Sequence, residues 1–231
     1  MDTLIEGFQE AFRLLISLDR EVLQIIAVSL RVSGTALVFS VLIGLPLGTF
    51  LGLASFPGKK IITAFLYTGM GFPPVVVGLF VFIIFSNAGP LGDLNWLFTT
   101  RAIVVAQTVI ALPLVAGFIM TAVMGVDKNL LLQLRTLGVT RFQMIWTIIK
   151  EARLGALIAI IAGFGAVISE VGAVMLVGGN IRGKTRVLTT AIMLETRQGR
   201  FGLAIALGII LLTITFIINI FMLNLQEKER N

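Results

Sequence analysis

The chain contains no cysteine and no histidine. Those absences remove disulfides, thiol nucleophiles, nearly all transition-metal sites and the commonest general base. Charge is scarce as well: 13% of the 231 residues are Asp, Glu, Lys or Arg, against about 25% in an ordinary soluble domain. No Gly-x-x-x-x-Gly-Lys-Ser/Thr run occurs, so no nucleotide site of the P-loop type is expected. No carboxylates pair in a pattern suited to acid–base work, and neither a catalytic constellation nor a metal site is found. What the chain has in abundance is hydrocarbon, with 57% hydrophobic residues and a mean hydropathy of +1.03. This is the composition of an all-α polytopic membrane protein. The net charge of +6 fits loops that set orientation in a bilayer better than it fits nucleic acid.

A crossing helix needs about 20 apolar residues. Five windows qualify, at about 32–55, 61–86, 102–125, 154–178 and 201–225. The apolar run 22–30 would lengthen the first, although Arg31 interrupts it. Residues 4–18 suit an amphipathic helix lying at the interface; a sixth span there would carry Glu6, Glu10 and Arg13 into lipid at high cost. The opening residues lack the basic start and small-residue cleavage site of a signal peptide. Five spans put the termini on opposite sides. The stretch 1–21 has five acidic residues against two basic, a net of −3. Residues 126–153 have five basic against two acidic, a net of +3, and Lys59 and Lys60 occupy the first loop. The positive-inside tendency then places the N-terminus outside and the C-terminus in the cytoplasm. One loop disobeys: residues 179–200 hold five basic residues against Glu195, a net of +4, on the outer side.

Within the spans, Gly44, Gly48 and Gly52 form a small-residue ridge. It suits close helix packing inside one subunit, or a seam between two copies. Pro73 and Pro74 break the second span, which is tolerated only where freed backbone meets protein or a water-filled cavity. Pro113 interrupts the third more mildly. Residues 126–153 are the most informative stretch, a long basic amphipathic insert between two apolar runs. Leu130, Leu134, Leu137, Phe142, Ile145 and Ile149 form a stripe at helical spacing, with Lys128, Arg135, Arg141 and Lys150 largely off it. Gly138-Val139-Thr140 predicts two short helices joined by a turn, with Thr140 as the second N-cap. Such an insert suits either a grip for a partner protein or a helix lying on lipid.

The segment RTLGVTRFQMIWTII resembles the cytoplasmic loop of ABC importer permeases, with Gly138 in the place of that loop's glycine. Leu132-Gln133-Leu134 stands where the pattern has Glu-Ala-Ala, and Lys150-Glu151 where Leu-Pro often follows. ISEVGAVMLVGGNIRGKTRVLTTAI (168–192) resembles the corresponding stretch of molybdate, sulfate and especially tungstate permeases. FPPVVVGLF (72–80), GPLG (89–92) and ALPLV (111–115) match that group in order and spacing. The likeness covers roughly residues 25–225 and implies one transmembrane permease domain over 1–231, built as a type I importer bundle in a prokaryotic cell (inner) membrane. It further implies a homodimer on two ATPase subunits, fed with a tetrahedral oxyanion by an extracytoplasmic binding protein. Tungstate comes first, with molybdate or sulfate as alternatives. ATP would be hydrolysed by the partner, and no cofactor is expected on this chain. The loop at about 126–153 would be the coupling element, with Arg135, Leu137, Gly138, Val139, Thr140 and Arg141 at its tip. The reading from another class is a stand-alone secondary anion transporter; a third is a non-transporting membrane scaffold.

For an oxyanion path, Gly178, Gly179, Asn180, Arg182, Lys184, Thr185, Arg186, Thr189 and Thr190 supply amides, hydroxyls and cations in sequence. The same loop could instead dock the binding protein. Glu170 is the only acidic residue in a predicted span. A bare carboxylate would repel an anion, so Glu170 is expected to be paired with Arg, hydrogen-bonded to backbone amides or protonated, holding the gate together. Direct contact with substrate or proton coupling is the alternative.

Overall fold

A computed structural model describes residues 5, 8–10, 12–14, 17 and 19–230, and all regular structure among them is helical. Of the expected interfacial helix over 4–18, the described residues 5, 8–10 and 12–14 are helical, and the others except 17 lie outside the described residues.

Helix α1 (Arg20–Leu53) begins where the Asp19 side chain accepts the Val22 N–H at 3.0 Å. The expected span began at residue 32, but the helix starts earlier and carries Arg31 within it. Its 34 residues reach about 51 Å, well beyond the roughly 30 Å of hydrocarbon. The Arg31 end therefore extends past the apolar layer.

The second window forms two helices, α2 (Lys59–Met70) and α3 (Pro74–Phe85), bent by 101°. Pro73 is the N-cap of α3 and Pro74 its first residue, a position that needs no N–H. Helix α4 (Thr100–Met124) absorbs Pro113 without ending. The insert forms α5 (Lys128–Thr136) and α6 (Arg141–Glu151).

The fourth window, expected as one span, is broken. Helix α7 (Arg153–Ile168) stops, Ser169-Glu170-Val171 intervene, and α8 (Gly172–Gly178) resumes. Helix α9 (Leu188–Arg197) and the long α10 (Phe201–Arg230) complete the chain. Among the described residues, three helices are long and apolar enough to cross a membrane alone, or up to five spans if each bent pair counts once.

Helices α1, α2, α3, α7 and α8 pack against α4. Helix α1 runs parallel to it, with Ser33 beside Gln107, Ser40 bonded to the Thr108 carbonyl and Gly52 against Val123. The Gly44–Gly48–Gly52 ridge is the seam of this pair, so it serves packing within the chain. A Cβ at Gly48 would fall inside contact distance of the Ala116 carbonyl oxygen and 3.0 Å from Ile119 Cβ. Gly48→Ala is therefore expected to cost about 1–3 kcal/mol through overpacking, read as an earlier unfolding midpoint in mixed micelles.

The parallel pair gives the bundle two ends. The insert leaves from the end with Leu53 and Met124. Asp19, Thr99 and the 179–187 loop mark the far end, where Phe98 N–H bonds the Val177 carbonyl at 2.8 Å.

Candidate functional site

At the insert end, local rules build a rigid projection. Asp127 caps α5, accepting the Asn129 N–H at 2.9 Å. The helix ends at Leu137, and Gly138 turns the chain with φ +67°, a conformation that disfavours a side chain. Thr140 then opens α6 with a capping box. Its Oγ accepts the Gln143 N–H at 3.3 Å, and Gln143 Oε1 accepts the Thr140 N–H at 2.9 Å.

The root of the projection is apolar and closed: Ile148, Ala152 and Val126 pack with Val115, Ile119 and Val123 of α4. Met144, Leu130 and Leu131 lie against the same cluster. The expected stripe is therefore split. Leu130 joins the root, whereas Leu137 (75% exposed), Phe142 (77%) and Ile145 point outward. The turn resets the helical phase, so one periodicity carried across it mixes two faces. Arg135 and Arg141 stand beside the exposed apolar tip. The result is a hydrophobic knob with a basic rim, held on a buried root.

At the far end, the basic loop is held by acids distant in sequence. Glu21, at the start of α1, pairs with Arg182 and, at 3.2 Å, with Arg186. Arg200 pairs with the buried Glu195 at 2.6 Å. These groups, with Glu10 and Asp19, line a cavity of about 290 Å³. Arg182 remains 72% exposed, and Arg186 only 15%. In the sequence Glu21 contributes only to a net charge. The available signal was the match between −3 at the N-terminus and +4 in the loop, both assigned to one side.

The groups expected to hold an oxyanion are largely engaged within the protein. Thr185 Oγ donates to the Gly178 carbonyl at 2.5 Å and accepts the Ile181 N–H at 2.9 Å. Thr190 Oγ accepts the Val187 N–H at 3.1 Å. Gly179 N–H bonds the Met175 carbonyl, and Gly178 and Gly179 pack against Ile103 and Phe98. Asn180 sits in the left-handed region, its Oδ1 buried without a hydrogen-bond partner. Arg182 and Lys184 are the cations of this loop that face outward.

Glu170 lies in the break between α7 and α8, where its Oε1 accepts the Ala173 N–H at 2.8 Å. The carboxylate thus occupies the start of α8, and Thr189 Oγ donates to the Glu170 carbonyl at 2.8 Å. Glu170 ties the broken span to α9. On the other side, Gln107 of α4 donates to the Val167 carbonyl at 2.8 Å, a contact that sequence reasoning missed. A lone glutamine in an apolar span was the signal. Gln107→Leu is expected to cost about 1 kcal/mol, the scale of an interhelical hydrogen bond in a membrane bundle, measured by thermal inactivation in detergent.

The family described as binding-protein-dependent transport system inner membrane component matches residues 44–231. This chain belongs to that family. It is 40% identical over 228 residues to the tungstate uptake system permease protein TupB of Peptoclostridium acidaminophilum, covering 99% of this chain and 100% of that one. A probable anion ABC transporter permease protein of Haloferax volcanii is 42% identical over 200 residues, covering 84% of this chain and 86% of the relative. Among solved structures, an inward-facing MetNI methionine ABC transporter matches with a TM-score of 0.75 at 18% identity, covering 94% of this chain and 98% of that chain. The fold is accordingly that of a type I ABC importer permease, and the protein is a membrane-embedded transport component.

Proposed function

We propose that this permease imports a tetrahedral oxyanion, tungstate, as the membrane subunit of an ATP-driven importer. Two copies would stand on two ATPase subunits and receive the anion from an extracytoplasmic binding protein. The observation that carries the reading is the capped turn at Gly138, which holds Leu137 and Phe142 outward on a buried root. An exposed apolar tip between Arg135 and Arg141 fits an apolar cleft with an acidic rim, as a coupling element requires. The names of the relatives support an anion as cargo, and TupB supports tungstate.

With the insert in the cytoplasm, the far end lies outside and so does the N-terminus. There Arg182, Arg186, Thr185 and the Gly178-Gly179-Asn180 turn stand at the mouth of the path, with Glu170 holding the broken span behind them. Arg182, the more exposed, meets the binding protein or the arriving anion, while Arg186 anchors the loop. ATP binding would draw the two inserts together and open the path outward, and hydrolysis would reset it. The bends at Pro73-Pro74 and at Glu170 are where the spans would flex.

The test is uptake of labelled tungstate by cells expressing this chain with an ATPase and a binding protein, against excess molybdate or sulfate. Uptake that needs the ATPase and resists both competitors supports tungstate import. Uptake abolished by molybdate moves the cargo to a shared oxyanion route. Uptake without the ATPase overturns the reading in favour of a stand-alone carrier.

A further inference from the structure

Between the parallel helices α1 and α4 runs an open groove of about 560 Å³. Arg31 and Arg101 stand at one end of it, beside Trp96. The Arg101 guanidinium lies 5.7 Å from the centre of the Trp96 ring. From there the groove follows Thr35, Phe39 and Ile43 along α1, opposite Val105 and Val109 of α4.

Arg31 stands 22 residues before the end of α1 and Arg101 stands 23 before the end of α4. At 1.5 Å per residue both lie about 33–35 Å from the insert end, so they share one level near the far edge of a hydrocarbon layer roughly 30 Å thick. Trp96 at the same level suits a membrane interface. Arg31 to Ile43 covers about 18 Å of helix, enough for much of an extended acyl chain. Neither arginine pairs with a carboxylate among the described residues, and no carboxylate lines the groove.

We propose that this groove is a binding site for one anionic phospholipid of the far leaflet. Its headgroup phosphate lies between Arg31 and Arg101, and one acyl chain lies along Phe39, Ile43 and Val109. Charge complementarity selects the occupant. Two guanidiniums without a carboxylate partner among the described residues, at an interface, call for phosphate oxygens, which they bind by paired donors, and the hydrocarbon lining below excludes a small hydrophilic oxyanion. A second copy of the chain offering this same face would oppose arginine to arginine. The proposal rests on the family's placement in a membrane and not on the identity of the cargo.

The experiment uses the full-length chain, purified in mild detergent with phosphatidylglycerol and phosphatidylcholine in equal amounts and weighed by native mass spectrometry. The wild type is expected to retain phosphatidylglycerol in preference. Arg31→Gln with Arg101→Gln is expected to lower that retention roughly tenfold. Val109→Trp, which fills the groove and leaves both arginines, is expected to lower it as well. All three positions are exposed, so elution as a folded species is expected for every variant. Equal retention of the two lipids, or full retention by either variant, would overturn the site. Because the chain lacks cysteine, Thr35→Cys adds a clean control: a disulfide between two copies would make the groove a seam and overturn the proposal. Loss of tungstate uptake in the double variant with phosphatidylglycerol retention unchanged would overturn it too, by showing that the arginines serve the cargo.

Discussion

A chain carrying Leu137→Asp and Phe142→Asp is expected to reach the membrane folded and to take up no tungstate above background. Neither side chain contributes to the root of the insert, which Ile148, Ala152 and Val126 form with α4. Substitutions at positions this exposed cost the fold only about 0.5 kcal/mol or less. Docking is another matter. An apolar anchor seated in a partner's cleft is worth about 2 kcal/mol or more, so losing two weakens the contact roughly a thousandfold. Gly138 separates shape from chemistry at the same tip. Gly138→Val puts a β-branched residue at φ +67°, costing about 1–2 kcal/mol, whereas Gly138→Asn fits the left-handed region and should retain most uptake. The measurements are tungstate uptake and co-purification of the ATPase subunit, with membrane abundance as control. Normal uptake by the double aspartate variant would sink the coupling role.

The insert was legible because its determinants are local. Thr140 reads as an N-cap in the sequence and closes a capping box with Gln143 in space, and the glycine before it announces the turn. The glycine ridge was legible for the same reason, since its period of four marks one helix face. The break in the fourth span was not. No proline marks Ser169-Glu170-Val171, and the interruption is sustained by contacts remote in sequence, from Gln107 on one side and Thr189 on the other. A hydropathy window sees only apolar residues on both sides of it. The oxyanion donors illustrate a different limit. Residue types identify Thr185 and Gly179 as capable of binding an anion, but whether their groups are free depends on packing, and here Gly178, Ile181 and Met175 engage them.

Reversing one charge at the far end is expected to have the second largest effect. Among the described residues, Glu21 is the carboxylate that pairs with both Arg182 and the more enclosed Arg186, across more than 160 residues of chain. In the proposed orientation the loop of net charge +4 lies on the side that the positive-inside tendency disfavours, and an acidic residue facing it belongs to the opposite end of the sequence. Glu21→Arg would bring a fourth guanidinium to a cavity of about 290 Å³ already lined by Arg182, Arg186 and Arg200. Glu21 is 36% exposed and Arg182 72%, so the cost falls mainly on the more enclosed Arg186 and is about 1–3 kcal/mol, below that of a fully buried pair. Because the Arg182–Arg186 segment joins α8 to α9, its release should loosen the mouth of the path and lower tungstate uptake at least tenfold. A destabilised α1 alone would give the same loss, so the discriminating chain carries Glu21→Arg together with Arg186→Glu. That exchange restores an opposite-charge pair at the same place and should recover much of the uptake. Uptake unchanged in the single variant would show that the ion pairs do not hold the mouth. A failure of the exchange to rescue would show that Glu21 acts there by something other than charge.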